Sequence, residues 1–165
     1  MEHPIQNFDF LTGRLSHVLP KTGNFPTEAS IAGLKNSSEF LDHCIKNGIA
    51  PLIHHNLCMR SQKTAPNSSI SEKFRALYYR TLAKNMVLFA LLKEIANENR
   101  NYRIPIIVLK GPALIQLIYK DPGLRPMNDL DLLIPERSRS KFSRLMTSIG
   151  FSPVRLYPNV FSRSE

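Results

Sequence analysis

The feature that most limits what this chain can fold into is a change of hydrophobic period near Arg103. From Ser69 to about Arg100, apolar residues including Ile70, Phe74, Leu77, Leu88, Leu92 and Ile95 recur near helical spacing, which predicts one long helix. Ser69 and Glu72 form a candidate capping box at its start. Directly after it comes "IPIIVL", residues 104–109, a continuous apolar and β-branched run too short for a helix. Such a run reads as a strand covered on both faces. A chain with both periods in succession is neither all-helical nor all-β.

The flanking segments extend the pattern. "SSEFLDHCIKNGIAPLIHHNLCM" opens with serine caps, places Phe40, Leu41, Cys44 and Ile45 on one helical face and stops at Asn47-Gly48. A second helix starts near Pro51 and carries Leu52, Ile53 and Leu57, and residues 58–69 read as a loop. Residues 1–36 are mixed, with one short helix expected among their turn residues. Beyond the first strand, "KGPALIQLIYK" predicts a helix and "DPGLRPMN" a turn-rich loop. "DLDLLIP" predicts a second strand, in which Leu130, Leu132 and Ile134 alternate with Asp129, Asp131 and Leu133. A last helix over "ERSRSKFSRLMTSIG" has Phe142, Leu145, Met146 and Ile149 on one face and Gly150 as its stop. "FSPVRLYP" begins a further strand, and "NVFSRSE" reads as a polar tail with no structural role. The fold class is therefore α/β in the broad sense, specifically α+β: a helical N-terminal region followed by a small sheet with flanking helices.

Charge and composition narrow the function classes. The net charge of +9 and pI near 9.8 attract anions, yet the basic residues are spread along the chain and are not interleaved with aromatics as in a base-stacking platform. The face bearing Arg137, Arg139, Lys141 and Arg144 reads as a solvated helix surface. No apolar stretch approaches the roughly 20 residues of a bilayer span and the first residues lack a secretory pattern, so the expectation is a cytoplasmic protein with no membrane partner. Cys44 and Cys58 match no metal or redox spacing and are expected as buried free thiols. His54 and His55, adjacent on a helix, diverge by about 100° and make a poor zinc pair.

The chemistry concentrates in Asp129 and Asp131. On a strand, residues i and i+2 share a face, so two carboxylates project together and repel unless something compensates them. A divalent cation does so: Mg²⁺ takes one or two carboxylates and completes its shell with water and substrate phosphates. The alternative is a solvated pair, or a cap on the turn after Asn128. Lys110-Gly111, at the end of the preceding strand, adds a turn glycine that admits phosphate to backbone N–H groups and a lysine that supplies a positive charge.

These residues resemble the uncharacterised nucleotidyltransferase family, a branch of the DNA polymerase β-like nucleotidyltransferase superfamily. That branch shows Leu-Lys-Gly, then a Tyr-x-x-Pro-Gly-x-Arg loop, then two aspartates separated by one apolar residue. Here the order is Leu109-Lys110-Gly111, then Tyr119 with Pro122-Gly123 and Arg125, then Asp129-Leu130-Asp131. Together with "NGIAPLIHHNL" upstream, the resemblance covers about residues 38–152. It implies a small mixed sheet and the transfer of a nucleotidyl group from a Mg²⁺-bound (or Mn²⁺-bound) ATP or other nucleoside triphosphate to an acceptor. The acceptor is left open between small molecule, protein and RNA, and an oligomer is allowed. By carry-over, Asp129 and Asp131 are the catalytic metal ligands, Lys110 and Gly111 cradle the triphosphate, and Arg125 reaches a phosphate or instead pairs with Asp121 or Asp129. Pro112 stands where the superfamily's turn has Ser.

The implied layout is a variable segment over 1–37, a helical region over 38–102 and a C-terminally truncated nucleotidyltransferase-like core over 103–165. The superfamily's third carboxylate is not evident, since Glu136 opens a helix and Glu165 is terminal. The alternative function is accordingly a catalytically inactive nucleotide- or partner-binding protein of the same fold, and a third ligand supplied by another subunit is a further option.

Overall fold

The computed structural model describes Ile31 and residues 37–60, 69–154 and 157–163. The expectations for residues 1–36, apart from Ile31, and for the middle of the 58–69 loop lie outside the described residues, as does Glu165.

Three helices come first: α1 over Ser37–Lys46, α2 over Ala50–Arg60 and α3 over Ser69–Tyr102. The two-residue strand β1, Ile107–Val108, leads into α4, Lys110–Leu114, and a π-helix over Ile115–Tyr119. Then follow β2 over Leu132–Leu133, a 3₁₀ turn over Glu136–Ser138, α5 over Arg139–Ser148, β3 over Ser152–Val154 and β4 over Tyr157–Ser162. Both sheets are two-stranded and antiparallel, β1 with β2 and β3 with β4, so the α+β class is realised with the helical part first. No helix among the described residues is long and apolar enough to cross a membrane.

The chain divides into two compact units, one holding residues up to Ala83 together with Ile115–Pro126, the other Lys84–Leu114 together with Met127 onward. In the first unit, Phe40, Cys44, Ile53, Leu57, Phe74 and Leu124 belong to one buried apolar cluster, with the Phe40 and Phe74 rings edge-to-face at 6.1 Å. Residues Phe40, Leu41 and Cys44 take the buried face of α1, but Ile45 at its edge is exposed. Helix α1 ends as Asn47-Gly48 predicts: Gly48, at φ +66°, donates to the Ile45 carbonyl and Ile49 donates to that of Cys44. These two bonds form a Schellman stop, which needs the left-handed residue that glycine supplies most cheaply.

The second unit gathers Ile95, Ile104, Phe142, Leu145 and Met146, ringed by half-buried residues that include Ile106, Leu130, Leu132 and Ile134. Helix α5 ends on the same motif as α1, with Gly150 donating to Thr147 and Phe151 to Met146. At the end of α3, the Asn99 side chain donates to the Ile104 carbonyl at 2.8 Å and accepts from the Ile104 N–H at 2.9 Å. This two-point clasp turns the chain from helix toward strand, with Arg103 between them at φ +52°.

Three expectations are corrected. The first strand is not covered on both faces, because Ile107 and its cross-strand partner Leu133 are both more than half exposed. The strands are also shorter than the apolar runs: Pro105 has no N–H for a ladder, and the left-handed Lys110 ends the run on the other side. Third, the "NVFSRSE" segment is structural over its described part. Phe161 packs edge-to-face on Phe142 at 5.8 Å, while Arg163 pairs with Glu94 at 3.0 Å, donates to the Ile149 carbonyl and lies 4.5 Å over the Phe151 ring.

Candidate functional site

The candidate site is built on the β1–β2 ladder of the second unit. Ile107 faces Leu133 and Val108 faces Leu132, and one step further the Leu109 N–H donates to the Asp131 carbonyl at 2.9 Å. This register brings Lys110 and Asp131 together, and their side chains form an ion pair with Nζ 3.2 Å from Oδ2. Packing follows the expected alternation: Leu130, Leu132 and Ile134 lie against the core, whereas Asp129 and Leu133 are exposed and Asp131 is intermediate. The strand expected over 129–135 is realised only at Leu132–Leu133, so Asp129 and Asp131 lie in the segment before it and not on a strand.

Lys110 carries the special backbone of this turn. Its φ is +47°, in the left-handed region where an L side chain costs about 1–2 kcal/mol, while Gly111 is buried and does not have a positive φ. The expectation that Gly111 supplies the conformational freedom is thus corrected by one residue. Asp131 has a compensating charge already in place, namely Lys110, whose side chain is 71% exposed and free to reorient.

The segment entering the aspartate pair is anchored from α3. Asn85, fully buried, accepts the Met127 N–H on Oδ1 at 3.3 Å, and Lys84 Nζ donates to Asn128 Oδ1 at 2.7 Å. Sequence reading missed both residues. Their signal was Asn85, a polar residue eleven positions after Phe74 and three before Leu88 on the apolar stripe of a long helix, where asparagine is a poor helix former.

Arg125 belongs to the first unit, where its guanidinium donates to the Pro126 carbonyl at 3.3 Å. In the same loop, Asp121 is engaged by the Tyr78 hydroxyl at 2.9 Å and by the Gly123 N–H at 2.7 Å. Burial and that carboxylate push the Tyr78 phenol up to about 12. Gly123 lies so close to the Tyr78 ring that a Cβ there would overlap it, which accounts for the glycine.

His54 is buried, with its ring 5.2 Å from that of Tyr78 and 3.6 Å from the Cys58 sulfur, and burial lowers its pKa. Cys58 is exposed, contrary to expectation, while Cys44 is buried and its thiol is pushed up to about 12 by desolvation. Glu136, Arg137, Arg139, Lys141 and Arg144 are exposed. Among the described residues, no group of three or more His, Cys, Asp or Glu side chains is placed to hold a metal ion.

The sequence model of the family described as Uncharacterised nucleotidyltransferase matches residues 34–164, most of the chain. The chain belongs to this family. No curated protein and no solved structure matches it. Membership in the Uncharacterised nucleotidyltransferase family makes nucleotidyl transfer the reaction class against which the ladder end is to be read.

The donor set suits one kind of ion. Two carboxylates in the segment leading into β2 offer hard oxygen ligands but no all-protein cage, which fits Mg²⁺ arriving with a polyphosphate whose oxygens and waters complete the shell. A thiolate- and imidazole-loving ion would find no such set at Asp129 and Asp131.

Proposed function

We propose that this protein transfers a nucleotidyl group from a Mg²⁺-bound nucleoside triphosphate to an acceptor, using Asp129 and Asp131 as metal ligands and Lys110-Gly111 as the phosphate-binding turn. The observation that carries the reading is the juxtaposition of Lys110 Nζ with Asp131 Oδ2 at 3.2 Å, fixed by the ladder bond from Leu109. Cation and carboxylate from two separate motifs meet at one sheet end, where a metal–triphosphate needs both signs of charge.

Each side chain has a distinct task. Asp129 and Asp131 would hold the divalent ion that accompanies the triphosphate, and Lys110 swings from Asp131 to the phosphate oxygens when the nucleotide enters. Gly111, with no side chain, lets the chain approach those oxygens. The ion, when bound, neutralises charge that develops on the transferring group. The acceptor's nucleophilic atom bonds to the α-phosphorus, the bond to the bridging oxygen breaks, pyrophosphate leaves, and the acceptor proton passes to water.

A second reading, nucleotide binding without turnover, is favoured by the donor count: among the described residues no third carboxylate joins Asp129 and Asp131. Calorimetric titration of the chain with ATP, in Mg²⁺ and in EDTA, beside Asp129→Asn/Asp131→Asn tests the site. Binding that needs Mg²⁺ and disappears in the double variant is expected, and a folded chain that ignores ATP in both buffers would sink the proposal. Pyrophosphate release then separates transfer from binding alone.

A further inference from the structure

The second unit also has an open groove of about 870 Å³ lined by β2, the 3₁₀ turn, α5 and the β3–β4 hairpin. That volume lies within the roughly 300–1,000 Å³ of small-molecule sites. Leu132, Ile134, Phe142 and Phe161 give it an apolar lining, with the two phenylalanine rings set edge-to-face at 84°. Arg139 and Arg144, both exposed, line it as well, and neither guanidinium has a hydrogen bond or ion pair among the described residues. Glu136 contributes one carboxylate to the same lining, its side chain likewise unbonded among the described residues, so the lining holds two guanidiniums and one negative charge.

Each half of this lining selects for something different. The half-buried Phe161 ring, backed by the buried Phe142, favours a flat apolar body, which gains contact area there at little entropic cost. Unpaired guanidiniums favour a planar or tetrahedral oxyanion, which they can grip with two parallel N–H bonds. A neutral hydrocarbon would leave the arginines unused, and a free phosphate would leave the apolar lining bare.

We propose that this groove binds a small organic anion, with its apolar ring against Phe142 and Phe161 and its carboxylate, sulfonate or phosphate held by Arg139 and Arg144. The lining starts at Leu132, the residue after Asp131, about 3.3 Å along an extended backbone. Under the nucleotidyl-transfer reading this ligand is the acceptor. That assignment rests on the reading above, whereas the binding itself does not.

The test uses the full chain and two fluorescent probes of similar shape: anilinonaphthalene sulfonate, an aromatic anion, and phenylnaphthylamine, its neutral counterpart. Saturable binding of the anion is expected, weakened about tenfold in Arg139→Gln/Arg144→Gln while the neutral probe is unchanged. Arg139→Lys/Arg144→Lys should recover only part of the lost affinity, because the charge returns without the two-pronged grip. Equal loss of both probes, or an arginine-to-glutamine variant that binds the anion as wild type does, overturns the assignment. So does exclusion of the probe by association of two copies through the groove. The nucleotide site fails on a separate readout, the absence of Mg²⁺-dependent ATP binding.

Discussion

The two units differ in the share of their apolar clusters that is fully buried. In the first, Phe40, Phe74 and Cys44 have 1% exposure or less and sit in one cluster drawn from helices. In the second, five buried residues are ringed by many half-buried ones, and the two-residue ladder leaves Ile107 and Leu133 open to solvent. The candidate chemistry belongs to the shallower unit. A carboxylate that must meet a metal and a substrate cannot also be sealed in a core, because an unpaired buried charge costs several kcal/mol.

The largest effect should come from the deep unit. Phe74→Ala is expected to cost about 3–5 kcal/mol, through lost transfer free energy and an unfilled cavity against Phe40. Urea denaturation followed by circular dichroism measures it. A loss under about 1 kcal/mol would mean that the first unit is not packed as tightly as its exposure values imply.

A smaller effect attaches to Tyr78, also in the first unit. Tyr78→Phe removes the bond to Asp121 and should cost about 1 kcal/mol at neutral pH. The folded phenol is raised from 10.0 to about 12, so the fold favours its protonated form. Its stabilisation is therefore complete below pH 10 and is lost as pH rises from 10.0 toward 12. With five tyrosines and no tryptophan in the chain, tyrosinate absorbance can follow the titration directly. One late-titrating tyrosine should vanish in the variant, and five that titrate together near the ordinary value would contradict the Tyr78–Asp121 contact.

The smallest stability effect is expected at the candidate site itself. Lys110→Ala or Asp131→Ala should change unfolding free energy by less than about 1 kcal/mol, since the pair is largely solvent-exposed. Nucleotide affinity should fall all the same. A cost comparable to that of Phe74→Ala would erase the contrast between the units and make the ion pair a structural clamp.

Sequence pattern exposed the helices and their stops because those depend on near neighbours: Asn47-Gly48 and Gly150 are read off a few residues. The apolar face of α5 was legible for the same reason. What stayed hidden depends on distant partners. The exposure of Ile107 depends on what covers β1, which no local pattern records. Asn85 gains its meaning from Met127, forty-two residues on, and the segment around Phe161 and Arg163 gains its own from Phe142 and Glu94. Cys58 was expected buried because free cysteines usually are, a tendency of the residue type that does not say which side of a helix meets the core.

If Lys110 binds nucleotide as proposed, its left-handed backbone sets stability and activity against each other at a single position. The residue that turns the chain is also the one that carries the charge, so Lys110→Gly should relieve about 1 kcal/mol of backbone strain and remove the cation in the same step. A screen for thermal tolerance would select that substitution and a screen for nucleotide use would reject it. The persistence of lysine there would then record which of the two pressures has shaped this turn.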